Sequence, residues 1–223
     1  MRAHLRLLMK IPVAAAAVIV LTAATTGRPP SFSPLPTDAD MYPRRIGIDV
    51  ENYRFEISLR DDTDEIEGRV TVSIRFTTNG LTALPLDLTS VDAEGLGMQV
   101  TDVTSGGTPL TYAHQDDLLT IQLPEAGRSG VRLDVSVEYR GMPAAGLRIG
   151  PNKYGDRTFF SDNWPNRAHN WLPTVDHIGE KATSEFIVTA PSQYQVVSNG
   201  LRIEETDRTD GMRVTHWKQS VPI

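Results

Sequence analysis

From Ile46 onward, apolar and polar residues alternate along the chain. Tyr53, Phe55, Ile57 and Leu59 are interleaved with Arg54, Glu56 and Ser58. After an acidic stretch, Asp61-Asp62-Thr63-Asp64, the pattern resumes: Ile66, Val70, Val72, Ile74 and Phe76 are interleaved with Glu67, Arg69, Thr71, Ser73 and Arg75. Successive side chains on a strand point to opposite faces, so this pattern predicts two amphipathic strands joined by a turn, an antiparallel hairpin with one buried face. Further strands are predicted at 84–88, 98–103, 118–123, 131–139, 186–189, 194–197, 201–204 and 212–217. Gly106-Gly107 and Asp210-Gly211 supply turn chemistry between them. Nowhere does a helical period with caps appear. The predicted fold is all-β, an antiparallel β-sandwich or saddle-like domain of about ten strands over 46–223.

The first 45 residues follow a different pattern. Arg2, Arg6 and Lys10 precede an apolar stretch, Ile11 to Leu21, that is short for a membrane span, and Thr22-Ala23-Ala24 then provides small residues. This predicts a signal peptide at 1–24 with cleavage after Ala24, and hence an exported product, periplasmic or secreted, with no stable membrane span after cleavage. Retention as an uncleaved anchor is the alternative. Residues 25–45 are rich in Pro, Ser and Thr and poor in apolar residues, which predicts an extended, mobile lead-in. The prolines lack the sustained repeat of a polyproline ligand.

Charge narrows the partners. The chain carries a formal charge of −6, and loss of the three leader cations takes it to −9. Nucleic acid, whose phosphates need a basic surface, is disfavoured. The sequence has no cysteine. Disulfides, thiolate nucleophiles, cysteine zinc ligands and a lipoprotein anchor are excluded together.

Candidate chemistry is sparse. No His-Glu-x-x-His appears. The nearest arrangement is His177-Ile178-Gly179-Glu180, but Lys181 stands where a further ligand would be needed, and Gly179 disfavours a helix to present the pair. Ser198, in Val197-Ser198-Asn199-Gly200, reads as strand and turn rather than as a nucleophile elbow. Asp176 and Lys181 are expected to shape their loop through hydrogen bonds and an ion pair. The stretch from Phe159 to Trp171, FFSDNWPNRAHNW, is different: it concentrates four aromatics, amides, an arginine and a histidine in one loop. Such a loop suits a ligand-facing surface. It suits equally a loop that tucks Phe159, Phe160 and Trp171 into the core.

Four motifs occur in an order that resembles the N-terminal domain of the aminopeptidase N family of zinc aminopeptidases. These are the Tyr53 strand, Ile66-Glu67-Gly68-Arg69-Val70-Thr71-Val72-Ser73-Ile74-Arg75-Phe76, Val137-Glu138-Tyr139-Arg140-Gly141, and the segment Trp171 to Gly200. In that last segment Leu172-Pro173, Asp176, Lys181-Ala182-Thr183 and Val197-Ser198-Asn199-Gly200 fall at the family spacing. Thr174 and Ile178 replace the usual cysteine and proline. The resemblance implies the non-catalytic front part of a peptidase, a fragment or a truncated product, inactive alone. It implies no metal in this chain and zinc in a downstream catalytic domain. The implied partners are that domain and the N-terminus of a peptide substrate. The family's loop binds the substrate amine with a glutamine and, two positions on, a glutamate. Counting back from Leu172-Pro173, those positions become Asp162 and Trp164. Asp162, Asn163 and Trp164 are therefore the expected substrate-binding residues, Asp162 as the anion and Trp164 as a cation–π face. The alternative reading is a free-standing β-sandwich module that binds carbohydrate or surface ligands through the aromatics of 163–171.

Overall fold

A computed structural model describes residues 45–223. The predicted leader, and all but the last residue of the predicted lead-in, lie outside the described residues. Among the described residues there are thirteen strands, one 3-10 turn at Ala168–Asn170 and no α-helix. The all-β expectation holds. The largest sheet has eight strands: β1 (Ile48–Ser58), β2 (Ile66–Phe76), β4 (Gly97–Ser105), β5 (Thr108–Pro109), β8 (Arg132–Met142), β11 (Thr183–Pro191), β12 (Leu201–Asp207) and β13 (Met212–Gln219). Their spatial order is β12-β13-β11-β1-β2-β8-β4-β5. A three-stranded sheet combines β3 (Ala83–Asp87), β6 (Tyr112–Gln115) and β7 (Leu118–Gln122) in the order β3-β7-β6. A separate hairpin pairs β9 (Leu147–Pro151) with β10 (Arg157–Ser161).

The predicted hairpin of β1 and β2 forms, with Phe55 opposite Val70 and Tyr53 opposite Val72. A bulge between Val50 and Asn52 inserts one residue. It switches the buried set from Ile48 and Val50 to Tyr53, Phe55 and Ile57 without turning the strand over. β4 repeats the device between Val100 and Asp102, so that Met98, Val100 and Val103 all face inward. One pairing departs from the antiparallel expectation: β1 and β11 run parallel, with Ile57 beside Val188. The chain between them crosses the whole domain, which is the long connection that parallel neighbours require.

The core lies between the large sheet and the three-stranded sheet. Val70, Val72 and Ile74 on the first, and Leu84, Leu86 and Ile121 on the second, have no exposed surface and belong to one apolar cluster. Burying each such side chain contributes roughly 1.5–3 kcal/mol. The predicted strand at 194–197 does not form. Tyr194 and Val196 pack on the core while Gln195 and Val197 face out, so the alternation is real, but no neighbouring strand completes a ladder.

Candidate functional site

The hairpin of β9 and β10 stands over β1 and β11, interior strands of the large sheet. Its tip is a turn built by Asn152, whose Oδ1 accepts the backbone N–H groups of Tyr154 (2.8 Å) and Asp156 (3.0 Å). Arg157 fastens the hairpin to the β1–β2 turn through Asp64 (2.6 Å) and the Thr63 carbonyl. The loop that follows β10 folds back onto Gly146, whose φ is +76°. A Cβ there would meet the Arg167 carbonyl oxygen at 2.4 Å and Trp171 Cδ1 at 2.9 Å, so only glycine permits this approach.

The three expected substrate-binding residues lie at the head of this loop. The Asp162 N–H donates to the Gly146 carbonyl (2.7 Å), and Asp162 Oδ2 takes Arg167 Nη1 at 3.1 Å, an ion pair with both side chains about half exposed. Asn163 Oδ1 accepts Trp171 Nε1–H at 3.0 Å. Trp164 is 76% exposed. The structure thus brings Asp162 and Trp164 to the surface as neighbours, and turns Asn163 inward to tie the loop to Trp171.

Phe159 and Trp171 are both drawn inward, Trp171 to 5% exposure, whereas Phe160 stays 63% exposed on the outer face of the hairpin. Phe159, Trp171, Phe186, Val188, Tyr194 and Asn163 are among the residues lining a cavity of about 440 Å³. It lies between the hairpin, the 194–199 segment and the large sheet. Neither Asp162 nor Trp164 lines it. The aromatic-rich loop was legible in the sequence as a candidate. The contributions of β11 and of 194–199 were not, because they depend on the parallel pairing.

Behind the loop lies a chain of polar contacts. His169 Nδ1 meets Asp176 Oδ2 at 2.7 Å, and the same oxygen accepts the His169 backbone N–H at 3.1 Å. This contact with Asp176 holds the imidazolium above its usual pKa, against the opposing effect of burial. The Asp176 N–H donates to Asp87 Oδ2 (3.0 Å), and the other oxygen of Asp87 is paired with Arg45. Asp87 and Thr174 also exchange backbone hydrogen bonds, which adds one rung to the edge of β3. The Val175 N–H donates to the Tyr53 hydroxyl at 2.9 Å, and burial pushes that phenol up. The expected pairing of Asp176 with Lys181 is therefore corrected. Asp176 is used by His169, and Lys181 is exposed.

The described histidines contact different groups. His177 Nδ1 accepts the Gly179 N–H (2.9 Å) while Glu180 Oε1 accepts the Val50 N–H (2.7 Å), so the His177-to-Glu180 segment serves as a turn that pins β1. His114 Nε2 contacts the Leu88 carbonyl, and His216 Nε2 contacts Glu185. Among the described residues no three His, Asp or Glu side chains converge as a metal site.

The family profile described as Peptidase M1 N-terminal domain matches residues 49–223. Among solved structures, the M1 zinc metallopeptidase from Deinococcus radiodurans superposes with a TM-score of 0.68 at 24% identity, covering 80% of this chain and 40% of that one. A two-domain M1 zinc metallopeptidase variant bound to L-tryptophan gives 0.70 at 24% identity, over 82% and 43%. Native leukotriene A4 hydrolase from Saccharomyces cerevisiae gives 0.67 at 20% identity, over 87% and 30%. At these identities the likeness is one of fold. The chain spans less than half the length of these structures. No curated protein matches it.

Proposed function

The chain belongs to the Peptidase M1 N-terminal domain family, and from that premise we propose that it walls the substrate cleft of an exported zinc aminopeptidase and is not catalytic by itself. The observation that carries this reading is the family match over 49–223, essentially all of the described residues. The parent reaction is hydrolytic release of the N-terminal residue of a peptide. Among the described residues no donor set for zinc converges, and His114, His169, His177 and His216 contact different groups. The metal and the activated water belong to a catalytic domain beside it.

The domain's own contribution is recognition. A substrate ammonium leaving water needs an anion, because an unpaired buried charge is costly. Asp162 supplies that anion, and Trp164, standing out from the same loop, offers a ring face to the same cation. Asn163 holds the loop through Trp171. The arrangement is braced from behind by the His169–Asp176–Asp87 contacts, which join the loop to β3.

The test is to express the reading frame extended past Ile223 and to compare it with the present chain. The extended product is expected to carry His-Glu-x-x-His and to release an aminoacyl chromophore in a chelator-sensitive way. The present chain is expected to be silent and to hold far less than one zinc after dialysis. Turnover by the present chain alone, or an extension with no peptidase activity, would sink the proposal.

A further inference from the structure

The cavity under the β9–β10 hairpin has a chemistry that the amine-recognition reading does not use. Its lining contains no Asp, Glu, Lys, Arg or His, in a chain of which 22% is charged. Its floor is Ile57, Val188 and Ala190, exposed 3%, 8% and 2%. Its walls are aromatic. Phe159 and Tyr194 meet edge to face at 5.4 Å, and Trp171 and Phe186 lie tilted at 6.5 Å. The polar tips of these walls are already committed: Trp171 Nε1–H to Asn163, and the Tyr194 hydroxyl to Asp61. What remains for an occupant is ring face and aliphatic surface with uncharged polar groups at intervals: the amides of Gln195 and Asn199 and the hydroxyls of Ser161 and Ser198, while the Thr158 hydroxyl donates to the Gly150 carbonyl. About 440 Å³ is far more than a water needs and falls within the range of small-ligand sites.

We propose that this cavity is a binding site for an uncharged aromatic ring of about indole size. Ring pairs in offset or edge-to-face contact add to plain area burial, and four aromatic walls provide such contacts. A charged ligand is disfavoured, because nothing in the lining compensates its desolvation. The ring can arrive as a free compound or as a side chain within a peptide. The site does not depend on the peptidase reading, and its test involves no turnover.

The test is calorimetric titration of the chain with indole and, separately, with N-acetyl-Ala-Trp-Ala-amide. Ser198→Trp fills the cavity from its edge, and Ala190→Phe fills it from the floor. The expected result is saturable indole binding to the parent chain, weakened at least about tenfold by either filling variant. A peptide that competes with indole identifies a side-chain site, and a peptide that does not identifies a site for free ring compounds. Ser198 lies outside the strands, so Ser198→Trp keeps the test decisive if Ala190→Phe fails to fold. No indole binding, or binding unchanged in folded Ser198→Trp, overturns the proposal.

Discussion

Asp162 shares its carboxylate with Arg167, and this sets what the loop offers to a cationic group. Both side chains are about half exposed, so the pair contributes little to stability. Under the proposed function it would compete with a substrate ammonium for the same oxygens. In the extended enzyme, Asp162→Asn is expected to lower kcat/KM for free-amine peptides by about tenfold to hundredfold, the loss of a charge-assisted contact of roughly 1.5–3 kcal/mol. Arg167→Gln is expected to act in the opposite direction by freeing the anion. If both variants leave peptide turnover untouched, recognition lies elsewhere. A second residue-scale prediction concerns pH. His169 is held above its usual 6.5 by Asp176, with Asp87 and Asp117 acting in the same sense and Arg45 paired to Asp87. A raised folded value means that the contribution of this contact is complete below 6.5 and is lost as pH rises through the folded value. Urea unfolding of the chain should therefore show a decline above 6.5 that Asp176→Asn flattens; an unchanged pH slope in that variant would remove His169 from the account. Asp162 and Trp164 were readable as candidates from their place before Leu172-Pro173. The partners of Asp162 and Asp176 were not, because Arg167 and His169 reach them through loop geometry that no period encodes.

Strands with one buried face were legible because period-two alternation is imposed by the backbone itself. β1, β2, β8 and β13 appear close to their predicted positions, the first three with an alternating apolar set. The hairpin of β9 and β10 was missed. Leu147-Arg148-Ile149-Gly150-Pro151 carries Gly and Pro where a strand interior is read, and Phe159-Phe160 breaks the alternation. The parallel neighbour of β1 was equally invisible, since pairing across more than a hundred residues leaves no local mark. Within the large sheet, Gly68 opposite Tyr139 is a demanding position set by a side chain. A Cβ at Gly68 would lie 2.3 Å from Tyr139 Cζ, and Tyr139 is 2% exposed in the core. Gly68→Ala is therefore expected to destabilise the chain by about 1–3 kcal/mol, the usual cost of overpacking. Adding Tyr139→Leu should recover part of the loss, because a shorter side chain vacates the clash. Chemical denaturation of the single and double variants measures both effects. Additive losses would show that the ring does not define the constraint.

On the scale of the whole molecule, the described domain has its own core yet displays large apolar side chains. Phe160, Trp164, Leu201 and Ile203 are exposed 63%, 76%, 78% and 55%. Leu201 and Ile203 lie on β12, the outermost strand of the large sheet, where every residue is exposed and one backbone edge has no neighbour among the described residues. Such an edge is a template for pairing with another chain, moderated here by the charges of Arg202, Glu204, Glu205 and Asp207. No described helix is long and apolar enough to cross a membrane. The proposed export rests on the sequence of residues 1–24 alone, and N-terminal sequencing of exported material is expected to read from near Thr25; intact Met1 on a membrane-bound product would refute it. The exposed apolar groups have a consequence of their own. A wall built to face a catalytic domain should leave an uncovered patch when that domain is missing. The chain alone is therefore expected to self-associate and to bind a hydrophobic dye. Both properties should fall in the extended product, and a double variant, Leu201→Lys with Ile203→Lys, should reduce self-association by charging the open edge. Sedimentation of the chain, the double variant and the extended product distinguishes the cases. A strictly monomeric chain that binds no dye would mean that this surface is built for water, and would return the free-standing module to favour.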